Sequence, residues 1–324
     1  MVGCEDADKI NLSMERLRAD STIIQFGTNR FVAQVDAIRA YRGRVYLNDA
    51  RSNQVLCLDN DLSLLHVFGS VGEGPGEFTY AGALLVQNDS IYVYDGGKRR
   101  IQIFDLDGTY VRSFQLPAYV HTSFAIDAQD HIYISAHTLE APIVVLDSQG
   151  EQVRRFGHLL GTTDSDTQNR IRSVRFLALD SKGELLAVGR SVPIVERYNL
   201  DGTLLHSVDL STHPLFKGRL AYAERRWEEQ QNPRRTVTVV NSIDVVGQIL
   251  YISIITGQPR KNLQASTLLV LDAETFDIQR IITLNNEDDE ALPWIASIGA
   301  RKHGRLIAFD GKEGIFYTFS NLEF

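Results

Sequence analysis

The densest grouping of side chains able to grip a ligand lies in residues 211–236, STHPLFKGRLAYAERRWEEQQNPRRT. Residues 218–231 of this segment read as a helix that stops before Asn232-Pro233, because the residue preceding a proline is pushed out of helical geometry. On that helix Tyr222 and Trp227 offer flat apolar surface and Arg225 and Arg226 offer guanidinium groups, while Arg260 follows in the strand-free TGQPRKNLQAS. Guanidinium groups hold carboxylate or sulfate oxygens by paired hydrogen bonds, and aromatic rings bury large areas at modest entropic cost. Tyr222, Arg225, Arg226, Trp227 and Arg260 are therefore the expected ligand-binding residues. Leu220, Ala223 and Trp227 also fall at helical spacing, so the stripe either packs the helix down or faces a ligand from a lid.

Other chemistries find less support. His121, His137 and His213 do not have the spacing of a local metal motif, and HExxH, GxSxG and EF-hand patterns do not occur. Gly72, Gly74, Pro75 and Gly76 lack the Lys-Ser/Thr and the following helix of a phosphate loop. Accordingly no catalytic residue, metal or cofactor is expected. A net charge of -8 and a pI near 5.5 argue against a protein that coats nucleic acid. No run of 18 apolar residues is present that would span a membrane as a helix. Cys57 sits in the strand-like QVLCLD and reads as a small buried hydrophobe. Cys4, preceded by Gly3 and followed by a polar stretch, is similar to the lipidated start of a mature bacterial lipoprotein. Residues 1–20 thus read as an N-terminal tether, and the location expected is extracytoplasmic, at a cell envelope, with Cys4 as the lipid anchor.

From Ser21 onward the chain repeats. RVYLND, SIYVYD, HIYISA, ELLAVG, ILYISI and RLIAFD are six versions of one strand, each followed by a second, such as RIQIFDLDG or PIVVLDSQG. The turn positions Asp59, Asp105, Asp147, Asn199, Asp272 and Ser320 are separated by 46, 42, 52, 73 and 48 residues. Four short β-rich runs per repeat at this period indicate blades of a β-propeller rather than a sandwich. The strands are apolar on both faces, as sheets stacked between two neighbours require.

The unit from Gly69 to Phe114 resembles an NHL-repeat blade, through Gly74-Pro75-Gly76-Glu77-Phe78, the Ile-Tyr-Val-x-Asp of 91–95, the Arg-Ile-x-x-Phe of 100–104 and Asp107-Gly108. The resemblance implies that Asp49, Asp95 and Asp310 hold the turns that follow them, with Arg100 beside Asp95. The fold expected for 21–324 is all-β: a six-bladed propeller of four-stranded antiparallel blades, with a helical insertion near blade five. Five outer strands are present for six blades, and STIIQFG (21–27) shares the Phe-Gly exit of the others. This N-terminal strand should close the last blade, giving a monomer.

In such a meander the turns inside the first and second strand pairs fall on one face, and here they are uniformly tight. GSVGEGPGEF, 157–170, 211–236, 256–266 and 285–293 all fall on the other. Arg170, Arg172, Lys217, Arg219, Arg234, Arg235 and Lys261 join the ligand-binding arginines on that face, and Glu287, Asp288, Asp289 and Glu290 form a separate acidic sector. Loops on a rigid scaffold usually carry recognition. The function expected is non-catalytic binding of a peptide, glycan or protein partner, as in bacterial envelope six-bladed propeller lipoproteins. The alternative is a lactonase- or lyase-like propeller with an axial metal, for which the innermost strands offer only Asp36, Thr122, Ser123, Ser173, Asn241, Ser242 and Ser297. RNA binding, found among some eukaryotic NHL proteins, is disfavoured by the net acidity.

Overall fold

A computed structural model describes residues 13–120, 122–160, 163, 165–229 and 237–322. Cys4, His121, Arg234 and Arg235 lie outside the described residues. Six antiparallel sheets follow one another in chain order, with inner strands Ile38–Tyr41, Ala81–Gln87, Phe124–Ile126, Arg175–Leu179, Val240–Val246 and Ile295–Arg301. Each inner strand touches the next, and the sixth returns to the first, so the sheets are blades around an axis.

The apolar side chains divide among six clusters, one in each gap between neighbouring blades. Alternation along a strand explains the division. On Ser90–Asp95, Ile91 and Val93 enter the cluster shared with blade one, whereas Tyr92 and Tyr94 enter the cluster shared with blade three. Successive side chains point to opposite faces, and both faces are covered. Burial of one such side chain contributes about 1.5–3 kcal/mol, which accounts for the unbroken apolar runs without a functional reading.

The ring closes through the N-terminal segment. Strand β1 (Met14–Arg18) pairs in parallel with the outer strand Ile278–Asn285 of blade five, and β2 (Ser21–Ile23) pairs antiparallel with Ile315–Phe319 of blade six. Closure by β2 is as the sequence indicates. Strand β1 departs from the tether expected over 1–20: residues 14–18 form a fifth strand on blade five. The polar sequence MERLR suits that place, since only alternate residues are half-buried. Glu15 accepts from Arg280 Nε at 3.1 Å and Nη2 at 2.7 Å, fastening the extra strand to its neighbour.

The lead-in loop of blade two shows how a long connection is fixed. Asp95 is buried, and its Oδ1 accepts from the Thr79 and Tyr80 amides, each at 3.1 Å, and from Thr79 Oγ1 at 2.7 Å. Its Oδ2 meets Arg100 Nε at 3.0 Å, and Arg100 Nη2 donates to the carbonyls of Gly74 and Glu77. Asp49 and Asp310 hold the turns after them, through Arg51 and through Lys312 and Glu313. Asp95 differs from the expected role: its side chain reaches back to the loop preceding the blade.

Two predictions follow from these contacts. A chain lacking residues 1–24 exposes two strand edges and should lose its monomer peak to aggregates in size-exclusion chromatography, because open edges pair with other chains; an unchanged monomer would contradict the closure. Asp95→Ala strands the Arg100 charge and should cost about 3–5 kcal/mol in urea unfolding, against about 1–3 kcal/mol for Asp49→Ala, which loses hydrogen bonds alone.

Candidate functional site

The two ends of the propeller are built differently. At one end the turns are short and capped by their own side chains: Asp59, Asp105 and Asp147 each accept from backbone amides two and four residues on. These bonds hold the Asp105 carboxyl below its usual range, the Thr109 amide contributing most. At the other end lie α1 (Asp166–Arg172), α2 (Pro214–Glu229) and every long connection. Ser165 starts α1 by accepting from the Gln168 amide, as helix-capping serines do. Phe216, Arg219 and Ala223 are buried beneath α2, with Leu220 half-buried beside them, and Phe216 enters the cluster between blades four and five.

The structure brings the expected binding residues together in two subsets. Arg225 Nη2 donates to Gln258 Oε1 at 2.9 Å, and Gln258 Nε2 donates to the Gly218 carbonyl at 3.3 Å, so α2 is tied to the 257–263 turn that carries the exposed Arg260. Tyr222 is half-buried, with Arg219 at 5.6 Å from its ring. Arg226 and Trp227 are half-buried on the next turn. One face of the Trp227 indole is covered by the Arg172 guanidinium, 4.0 Å from the ring centroid, and the Trp227 carbonyl accepts from Gln168. Trp227 therefore joins α2 to α1, and the Tyr222, Arg225 and Arg260 side carries the open surface.

Between the blades an axial funnel of about 410 Å³ opens on this same end. Asp36, Thr122 and Asn241 line it, as do Gln34, Tyr80 and Arg190. Ser123 and Ser242 are staples between blades. Ser123 Oγ donates to the Leu177 carbonyl and accepts from the Leu177 amide, at 2.9 and 2.8 Å. Ser173 instead accepts from the Leu160 amide within its own connection, Ser297 Oγ has no partner among the described residues, and Ser242 accepts from the Ile298 amide across the gap to the next blade. Thr122 donates to the Arg175 carbonyl and Asn241 to the Ile295 carbonyl, crossing the gap in the same way. Among the described residues no three His, Cys, Asp or Glu side chains converge on one point.

Gln34, Tyr80 and Arg190 are funnel residues that sequence reasoning missed. The signal for Arg190 is a break in the repeat. After the six repeated second-strand hexapeptides stand Ala50, Gly96, His137, Arg190, Ile255 and Gly311, so basic side chains occur there only in blades three and four. His137 is accessible at its rim yet crowded by neighbours, and burial first and Arg190 second depress its pKa. Burial likewise depresses His213, whose Nδ1 accepts from the Leu215 amide at the start of α2.

Six blades of antiparallel strands, closed by an N-terminal strand around a funnel, define a six-bladed β-propeller. The chain belongs to the 6-bladed beta-propeller family, whose pattern matches residues 23–187, half of its length. It is 28% identical over 156 residues to the Protein brain tumor of Drosophila melanogaster, a match that takes in 45% of this chain and 14% of that protein. Among solved structures it is similar to a candidate exported protein of Bacteroides fragilis, with a TM-score of 0.61, 13% identity and coverage of 96% of this chain and 95% of that one. It is also similar to a streptogramin B lyase, with a TM-score of 0.54, 12% identity and coverage of 94% and 88%. At these identities the structural likeness is one of fold.

The depressed His137 pKa gives a pH dependence of known sign. Below its ordinary value of about 6.5 the unfolded chain takes up a proton that the folded chain resists, so this contribution to stability is lost as pH falls from 7 to 5. His137→Gln should therefore lose less stability than wild type over that interval in urea unfolding. Arg190→Gln should move the His137 imidazole resonance to a higher titration midpoint; an unmoved midpoint would separate the two side chains.

Proposed function

We propose that this protein is a non-catalytic recognition propeller that binds a carboxylate- or sulfate-bearing peptide, glycan or protein partner on its long-connection face. The observation that carries this reading is the asymmetry of the two ends. One consists of self-capped turns; the other gathers both helices, Tyr222, Arg225 and Arg260 on the end where the funnel opens. A rigid ring presenting variable loops suits binding, and guanidinium groups suit anionic partners. Likeness in fold to a candidate exported protein, together with the Gly3-Cys4 start and the polar residues after it, favours an extracytoplasmic setting at a cell envelope with lipid anchorage at Cys4. Nucleic acid and metal cofactors have no part in this reading. The lyase-like alternative draws on fold alone.

The test is an array of acidic glycans and peptides probed with wild type, Tyr222→Ala and Arg260→Glu, each checked for folding by circular dichroism. A retained ligand should bind about tenfold more weakly to each variant, a loss of about 1.4 kcal/mol, and its affinity should fall as salt rises. Equal binding by both variants, with loss on changing Asp107 at the opposite end, would overturn the site. Conversion of the ligand into a product would favour the enzyme reading.

A further inference from the structure

The funnel carries a second feature, separate from the helical rim. In blades two and six the position after the second strand is closed by packing: a Cβ on Gly96 would lie 2.9 Å from Tyr80 Cδ1, and one on Gly311 2.8 Å from Ala296 Cβ. In blade four the same position sends an arginine into the funnel. The backbone of Arg190 is clamped. Its amide donates to the Val174 carbonyl at 2.9 Å, and its carbonyl accepts from the Val239 and Val240 amides at 2.9 and 3.0 Å. Both helix-bearing insertions therefore re-enter the blades through this one residue. Gly189 permits the tight turn, since a Cβ there would lie 2.0 Å from the Val192 carbonyl oxygen.

Several other polar groups on the wall are already engaged within the protein, whereas the Tyr94 hydroxyl, also on the wall, has no hydrogen-bond partner among the described residues. Tyr80 donates to Asp36 Oδ2 at 2.7 Å and accepts from Gln34 Nε2 at 3.0 Å, while Thr122 and Asn241 donate to carbonyls of the next blade. The Arg190 guanidinium has no hydrogen bond or ion pair among the described residues; burial lowers its pKa and no carboxylate offsets that effect. Arg190 is half-buried; a guanidinium partly withdrawn from water without a counter-ion is disfavoured, and its planar fork matches a carboxylate in two parallel bonds. Asp36 stands on the lead-in to blade one, across the axis from blade four. With one cation and one carboxylate among the described residues of the wall, a monoanion seated on Arg190 is balanced, whereas a dianion would set excess negative charge toward Asp36.

We propose that the axial funnel binds a small carboxylate, gripped by Arg190 on the blade-four wall. Its volume, about 410 Å³, lies within the range of small-ligand sites, about 300–1,000 Å³. The site is distinct from the Tyr222, Arg225 and Arg260 rim, and the two can fail separately.

The experiment is a thermal-shift and calorimetry panel of butyrate, L-lactate, glycine and D-glucuronate, each paired with its amide, together with inorganic phosphate and sulfate. The four pairs separate plain, hydroxy, amino and sugar acids. At least one carboxylate should bind and raise the Tm, and its amide should not. Arg190→Gln should weaken that binding tenfold or more, Arg190→Lys less, and Arg260→Glu not at all. A readout independent of any variant is the His137 imidazole in wild type: a carboxylate on Arg190 cancels part of the field acting on the ring and should raise its titration midpoint. The proposal is overturned if no carboxylate of the panel binds, if phosphate or sulfate binds more tightly, or if the bound carboxylate leaves the His137 midpoint unmoved.

Discussion

A four-stranded sheet with apolar side chains on both faces has no side to turn toward water, so each blade must find a neighbour on either hand and the row must end by meeting itself. The six inter-blade clusters are the expression of that constraint. Closure then falls to the segment that can complete the last sheet. Strand β2 supplies it, and β1 extends the same hand-over one blade back. Because β1 lies parallel on an already outermost strand, it covers an edge that would otherwise offer unpaired amides.

Stacking the blades brings their inner strands close around the axis, where backbone groups of neighbouring sheets face each other without belonging to a common ladder. Thr122, Asn241 and Ser242 span these gaps with single hydrogen bonds and Ser123 with two. At the opposite mouth Asp244 does the same for the Ala300 amide at 2.7 Å, and burial raises its pKa. Thr122, Ser123, Asn241 and Ser242 are thus consumed in holding the ring. What remains for chemistry is set by departures from the repeat: Arg190 and His137 in place of small or apolar residues, and two insertions carrying α1 and α2.

The insertions are anchored as firmly as the blades. Arg175 and Glu196 are both fully buried and meet at 2.7 Å, and the same guanidinium donates to the carbonyls of Ser173 and His158 at the two ends of the 157–174 connection. A buried pair of this kind contributes little net stability, but removing one partner is costly. It fixes where α1 sits, and through the stack of Arg172 on Trp227 it fixes α2 as well. The rim surface of Tyr222, Arg225 and Arg260 is in this way referred back to the blade-four core.

Blade number, strand identity and the closing role of Ser21–Ile23 were legible in the sequence, because they follow from a local period and from the two-faced apolarity of each strand. The segregation of tight and long connections to opposite ends was legible for the same reason, as it depends only on strand order. The strand at 14–18 was not, since its MERLR pattern is stable only against a partner more than 260 residues away. Nor was the backward reach of Asp95, the pairing of Trp227 with Arg172, or the division of inner-strand polar residues into staples and funnel wall. Arg190 stood in the sequence as an irregularity in a repeat, and only the closed ring makes it a half-buried cation on the funnel wall without a counter-ion among the described residues. Local periodicity is written in consecutive residues, whereas the field around a side chain is made by whatever the other blades bring to the axis.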